Sequence, residues 1–273
     1  MKIRFEKMSG AGNDFVVVDN RNGEVRDGAA LARKICDRHW GVGADGLLLA
    51  EKSTVAAFRM TYFNADGSYG GMCGNGGRCM ADYAVRKGIA PPKHEFDALD
   101  HVYSAQVEEG SVKLRMKDPS GLKRSFVLPV EGKRLPMTFV NTGSPHVVVL
   151  ASKVTRKGLD AVDVQGLGRT IRSHRRFKPA GVNVNFVELQ GSSALRIRTY
   201  ERGVEAETLA CGTGAIAAGI VAHLDFGMAT PVKIVPKGQR DLFVDFVVGA
   251  DGGIVNVTLE GPAETVFEGE FEI

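Results

Sequence analysis

Two stretches decide the reading: Tyr62–Gly88, "YFNADGSYGGMCGNGGRCMADYAVRKG", and Tyr200–Gly227, "YERGVEAETLACGTGAIAAGIVAHLDFG". Each opens on a tyrosine and reaches a cysteine, Cys73 or Cys211, after the same interval. Gly-x-Gly follows directly (Gly74 and Gly76; Gly212 and Gly214), then a run of small and apolar residues closed by Gly88 or Gly227. Upstream segments echo in the same order: "GNDFVVVD" from Gly12 with "GSPHVVVL" from Gly143, and "GADGLLL" from Gly43 with "GVNVNFV" from Gly181. Four landmarks repeated in order define two homologous halves, related as a pseudo-twofold pair.

Taken alone, "MCGNGGRC" (Met72–Cys79) admits a metal loop, a disulfide, a phosphate cradle or a reactive thiol. No second Cys/His pair lies near it to complete a zinc site, so no metal is expected. A phosphate loop would need Lys-Ser/Thr after its glycines, preceded by a strand. A Cys73–Cys79 disulfide would join residues on different faces of the following helix, and four cysteines in 273 residues are too few for a disulfide scaffold. The repeat instead pairs Cys73 with Cys211, leaving Cys36 and Cys79 as buried packing thiols.

Short β-branched or alternating runs read as strands, among them "FVVVD", "GLLLAE", "FRMTYFN", "PHVVVLA", "VNVNFVEL", "ALRIRTYE", "LFVDFVV" and "IVNVTLE". "GAALARKICDRHW" is amphipathic and reads as a helix over 28–40. "GGRCMADYAVRKG" and "GTGAIAAGIVAHLDFG" read as helices with glycine at the C-terminal end. The second is apolar nearly all round, as suits a helix enclosed by strands. Each half is then many strands about one central helix with a cysteine at its N-terminus. "MKDPSGLKRSF" (Met116–Phe126) reads as the linker between halves.

Composition excludes other classes. Thirty-five Lys and Arg against 32 Asp and Glu leave a formal charge of +3, too even for a nucleic-acid binder. No signal-peptide core and no apolar run of spanning length is present, so a cytoplasmic protein without membrane contact is expected.

A thiol at a helix N-terminus meets unpaired N–H groups and partial positive charge, which stabilise the thiolate and bind carboxylates. Two such thiols facing one cleft can invert a stereocentre: one removes a proton from carbon and the other returns one to the opposite face, with no cofactor. The α-proton of an amino acid is a weak acid, so backbone N–H groups from both helix ends would have to stabilise a carbanion-like transition state in a dry site.

"KMSGAGNDFVVVD", "FNADGSYGGMCGNGGRC", "GSPH", "GVNVNF" and "YERGVEAETLACGTGA" together resemble the diaminopimelate epimerase family, in order and over essentially the whole chain. The resemblance implies an α+β fold of two pseudo-symmetric β-roll or barrel domains, each wrapped around a central helix. Their bounds would be 1–118 with a C-terminal return, 263–273, and 119–262. It implies conversion of LL-2,6-diaminopimelate to the meso form, for lysine and peptidoglycan synthesis, with a small-molecule amino acid as partner, no cofactor, and room for a homodimer. Cys73 would take the proton from the LL isomer and Cys211 from the meso isomer. Gly74 and Asn75, with Gly212 and Thr213, would grip the α-carboxylate. Asn13, Asn64, Asn183 and Arg202 would hold amino and carboxylate groups, Glu201 would meet an ammonium, and His146 would lie near the thiols. Two positions depart from the family pattern: Ser144 stands where many members have Asn, and Gly46 where some carry Gln. A racemase of another amino acid, such as histidine or proline, is the competing enzyme reading; a binding protein on the same fold would have no use for two thiols.

Overall fold

The computed structural model describes residues 2–99 and 101–272, and the chain divides into two compact units, Met1–Met116 with Glu260–Ile273 and Lys117–Leu259. Each is mostly sheet. The first unit begins with β1 (Lys2–Gly10) and β2 (Asn13–Asp19), followed by α1 (Gly28–Ile35), β3 (Gly46–Glu51) and β4 (Arg59–Asn64). The central helix α2 (Gly74–Arg86) comes next, then β5 (Lys93–Ala98), β6 (His101–Glu108) and β7 (Ser111–Arg115). β1 runs antiparallel to β2, β2 parallel to β3 and β3 antiparallel to β4. A single parallel pair, Arg59 with Asp97, joins β4 to β5, and β5, β6 and β7 follow antiparallel. α2 packs against β1, β2, β3, β4, β6 and β7 and is therefore wrapped by its own sheet.

The second unit repeats this plan. β8 (Ser120–Val130), β9 (Lys133–Asn141) and β10 (Pro145–Leu150) precede the short helix α3 (Ala151–Val154) and α4 (Val164–Arg172). β11 (Asn183–Gln190), β12 (Ala194–Glu201) and β13 (Ala206–Thr208) lead to the central helix α5 (Gly212–Phe226). β14 (Val232–Pro236), β15 (Leu242–Val248) and β16 (Ile254–Gly261) complete it. β9 to β10 is antiparallel, β10 to β11 parallel, β11 to β12 antiparallel and β12 to β14 parallel, the same succession of pairings as in the first unit. The last strand, β17 (Glu264–Glu272), belongs to the first unit and pairs antiparallel with β1 from Lys2–Glu272 to Ser9–Glu264.

Parallel strands covered on both faces need apolar residues at every position, which is why "FVVV" and "GLLLA" run without alternation. In the first unit Val16, Val18, Leu47 and Leu49 join a core with Leu31 and Ile35 of α1. In the second, Val147, Val149, Val184 and Phe186 do the same with Leu167 and Ile171 of α4. Alternation along a strand then turns the intervening residues toward the opposite face. There the second unit places His146, Asn183 and Asn185 among apolar neighbours, each at most 2% exposed.

Two local expectations are corrected, and one helix is added. α1 stops at Ile35 rather than continuing to residue 40, because the Asp37 carboxylate accepts the N–H groups of His39 (2.7 Å) and Trp40 (2.8 Å) and closes a turn instead. The expected linker at 116–126 is largely strand: β8 starts at Ser120, and its pairing with β9 shifts register twice before Phe126. Those bulges and its exposed side chains remove the alternation that marks a strand. α4 was not anticipated, since Gly166 and Gly168 weaken its helical signal; Asp163 starts it by accepting the Gly166 N–H at 2.9 Å.

Candidate active site

Cys73 and Cys211 occupy the same place in their units. Each is the N-cap of its central helix in extended conformation, with φ −116° and ψ 122° at Cys73 and φ −124° and ψ 111° at Cys211. Their carbonyls accept the first intrahelical bonds, from Gly77 (2.7 Å) and Ala215 (2.9 Å). Neither thiol caps its own helix. Opening-turn N–H groups have no intrahelical acceptor, so each helix end presents backbone donors beside a sulfur. Gly74, Asn75, Gly212 and Thr213 contribute these donors.

Beside Cys73, the first unit gathers Asn75 and Asn13 through a hydrogen bond of 2.5 Å from Asn75 Nδ2 to Asn13 Oδ1. Asn13 Nδ2 donates in turn to Asp45 (3.0 Å), which also accepts from Arg38 (2.8 Å). On the other side, Arg78 donates to Asn75 Oδ1 at 2.8 Å. Asn64 lies elsewhere in local terms: Tyr62 O–H donates to its Oδ1 (2.8 Å) and its Nδ2 donates to Ser68 (2.9 Å), within the turn that follows β4. At Gly46 a Cβ would stand 2.4 Å from Tyr62 Cε2 and 2.5 Å from the Phe63 carbonyl, so no glutamine fits at this departure from the family pattern.

The second unit builds a relay beneath Cys211. Asn185 Nδ2 donates to the Val147 carbonyl (3.0 Å) and faces His146 Nδ1 (3.1 Å), while its Oδ1 accepts from Thr199 (3.0 Å). With that amide orientation fixed, His146 Nδ1 is an acceptor and the proton is assigned to Nε2, which donates to Thr213 Oγ1 at 2.9 Å. The Thr213 hydroxyl is thereby left to donate to the Cys211 sulfur, 3.6 Å away. Burial, and secondarily the Arg202 charge, hold the His146 pKa down at about 3 against the opposing Asn185 contact, so the imidazole is neutral near pH 7.

Ser144, Asn183 and Arg202 form a third cluster. Asn183 Oδ1 accepts the Arg202 backbone N–H (2.8 Å), and its Nδ2 donates to Ser144 Oγ (2.9 Å) and the Pro145 carbonyl (3.0 Å). The Arg202 guanidinium reaches Ser144 Oγ at 3.4 Å and the Ala180 carbonyl at 3.2 Å. This mirrors the Asn13–Asp45 contact, as the sequence echo of "GNDF" with "GSPH" and "GADG" with "GVNV" requires. Glu201, at the end of β12, accepts from Thr208 Oγ1 (2.9 Å). Cys36 and Cys79 are free and buried, and burial pushes both thiols up to about 12, so they are inert packing.

Sequence reasoning missed Asn185, Asp45 and Arg78. A signal existed for two of them: Asn185 repeats Asn183 at the strand period inside an apolar run, and Arg78 interrupts a helix start otherwise made of small residues. Asp45 had no signal beyond its place in the echo.

The fold is shared with solved structures of other proteins. It matches a phenazine biosynthesis protein of the PhzF family from Bacillus anthracis (TM-score 0.76, 16% identity, 100% of both chains). It also matches a probable proline racemase from Agrobacterium radiobacter (TM-score 0.73, 15% identity, 99% of this chain and 92% of that one). A protein from Chlorobaculum tepidum named diaminopimelate epimerase is 44% identical over 266 residues, 96% of this chain and 98% of that one. The diaminopimelate epimerase family model matches residues 5–123 and 138–271. The chain belongs to the diaminopimelate epimerase family.

Proposed function

We propose that this chain interconverts LL- and meso-2,6-diaminopimelate, with Cys73 and Cys211 as the acid–base pair and no cofactor. One thiolate takes the α-proton, breaking C–H and forming S–H. The other thiol then gives its proton to the opposite face of the carbanionic carbon, breaking S–H and forming C–H. Cys73 is the base toward the LL isomer and Cys211 toward the meso isomer. Backbone N–H groups at Gly74, Asn75, Gly212 and Thr213 hold the α-carboxylate and stabilise the charge that spreads onto it in the transition state. Asn13, Asn64, Ser144, Asn183 and Arg202 hold the remaining amino and carboxylate groups, Arg202 with a fork suited to a carboxylate. Glu201 meets an ammonium, and His146 orients Thr213 toward Cys211. Since diaminopimelate feeds lysine and peptidoglycan synthesis, the reading carries a cytoplasmic location with it.

The observation that carries this reading is the repeated N-cap cysteine, two thiols in matching backbone conformation at two matching helix ends. The full-length relative's name supplies the substrate. Purified protein under reducing conditions should convert LL-diaminopimelate to the meso form, followed by chromatographic separation of the isomers, and leave L-proline and L-histidine unchanged. Turnover of either of those with none of diaminopimelate would move the reading to a different amino-acid racemase.

A further inference from the structure

Arg78 lies in the opening turns of α2 with 0% exposure. Its guanidinium donates to Asn75 Oδ1 (2.8 Å), to the Pro262 carbonyl (3.3 Å) and to the Gly74 carbonyl (3.4 Å), all neutral acceptors. Among the described residues no carboxylate forms an ion pair with it. A buried cation without a counter-ion is costly. Burial lowers the group to about 10, opposed by the Cys79 and Cys73 sulfurs, and it stays charged near pH 7. Charged side chains on the strands packed against α2 are engaged elsewhere. Glu6 takes Arg86 and Lys87, and Asp14 takes Lys7 and Arg38. Asp19 takes Arg21, and Lys113 takes Glu260. On α2 itself Asp82 takes Arg86.

The repeat shows that this charge is not symmetric. Five residues beyond each cysteine stand Arg78 in one half and Ile216 in the other. At the echoed strand position the order reverses: Phe15 packs beside Gly76 of α2, whereas neutral His146 bonds Thr213 of α5. The second half's nearby cation, Arg202, bears on His146 but is partly exposed, so its charge is screened more than that of Arg78.

We propose that Arg78 is a positioning residue of the first half-site: its buried guanidinium fixes the Asn75–Asn13 amide pair and supplies, beside the Cys73 thiol, a fully buried positive charge, whereas the second half's cation, Arg202, is partly exposed. Cys73 therefore ionises more readily than Cys211, so the free enzyme is poised to take a proton at Cys73. The inference rests on the two-thiol reading, but its test does not need turnover. The pH dependence of iodoacetamide alkylation, read peptide by peptide by mass spectrometry, gives a midpoint for each thiol regardless of its accessibility. In the wild-type protein the Cys73 midpoint should lie below that of Cys211. Arg78→Gln, which keeps a donor for Asn75 and removes the charge, should raise the Cys73 midpoint by about one unit, a roughly tenfold loss of reactivity on the acid side, with Cys211 unmoved. Arg78→Lys should keep the Cys73 midpoint near wild type and raise KM, because an ammonium cannot reproduce the fork. Equal midpoints in the wild type, or a Cys211 midpoint below that of Cys73, would overturn the proposal even if a variant fails to fold. An unshifted Cys73 in folded Arg78→Gln would do the same. Should the wild-type midpoints differ as expected while diaminopimelate is not turned over, the substrate assignment fails and the charge asymmetry stands.

Discussion

At the scale of single residues, the two half-sites reach similar ends by different chemistry. The first surrounds its thiol with amides braced by a buried cation; the second uses a neutral imidazole and a threonine hydroxyl. His146 makes this difference measurable in stability. Its folded pKa of about 3 lies below the unfolded value near 6.5, so between those limits the unfolded chain binds the extra proton. Stability is therefore undiminished above about pH 6.5 and falls as pH drops toward 3. His146→Gln should flatten that part of the pH dependence of the urea midpoint, while lowering activity at neutral pH through loss of the Thr213 contact. Thiol identity is the sharper residue-scale test of function: Cys73→Ser and Cys211→Ser should each abolish epimerisation, measured as meso product formed, because a serine hydroxyl is too weak an acid to share the α-proton. Retained activity in either variant would remove that cysteine from the mechanism.

At the scale of elements, the site depends on how closely α2 approaches β1. A Cβ at Gly10 would lie 2.6 Å from the Asn75 carbonyl oxygen and 3.1 Å from Cys79 Sγ, so only glycine allows the helix start to sit where it does. Gly10→Ala should cost about 1–3 kcal/mol of stability, as overpacked cores do, read from the urea midpoint, and should raise KM by displacing the Asn75 amide. A variant with wild-type KM and wild-type stability would mean that β1 yields freely at this point. The central helices and most of their enclosing strands were legible in the sequence, because glycine punctuation and continuous apolar runs are local signals. The end of α1, the strand character of 120–126 and the existence of α4 were not. Each is settled by a local device that composition does not display: the Asp37 turn, two register shifts, and a helix started by Asp163 despite its glycines.

At the scale of the whole molecule, the internal repeat is what made the function readable. It tied Cys73 to Cys211 rather than to the nearer Cys79, and the two units carry the repeat itself in strand pairing, helix placement and N-cap conformation. The repeat could not reveal where the halves differ, since Arg78 against Ile216 and Phe15 against His146 carry meaning only once packing and hydrogen bonds are known. No helix among the described residues is long and apolar enough to cross a membrane. The central claim is that two thiols act on opposite faces of one carbon, and solvent isotope tests it most directly. LL-diaminopimelate incubated with the protein in D2O, sampled early, should yield meso product carrying deuterium at the inverted α-carbon while the remaining LL substrate keeps its protium. Deuterium appearing in recovered LL substrate as fast as in product would show a single base serving both faces, and would contradict the two-thiol account.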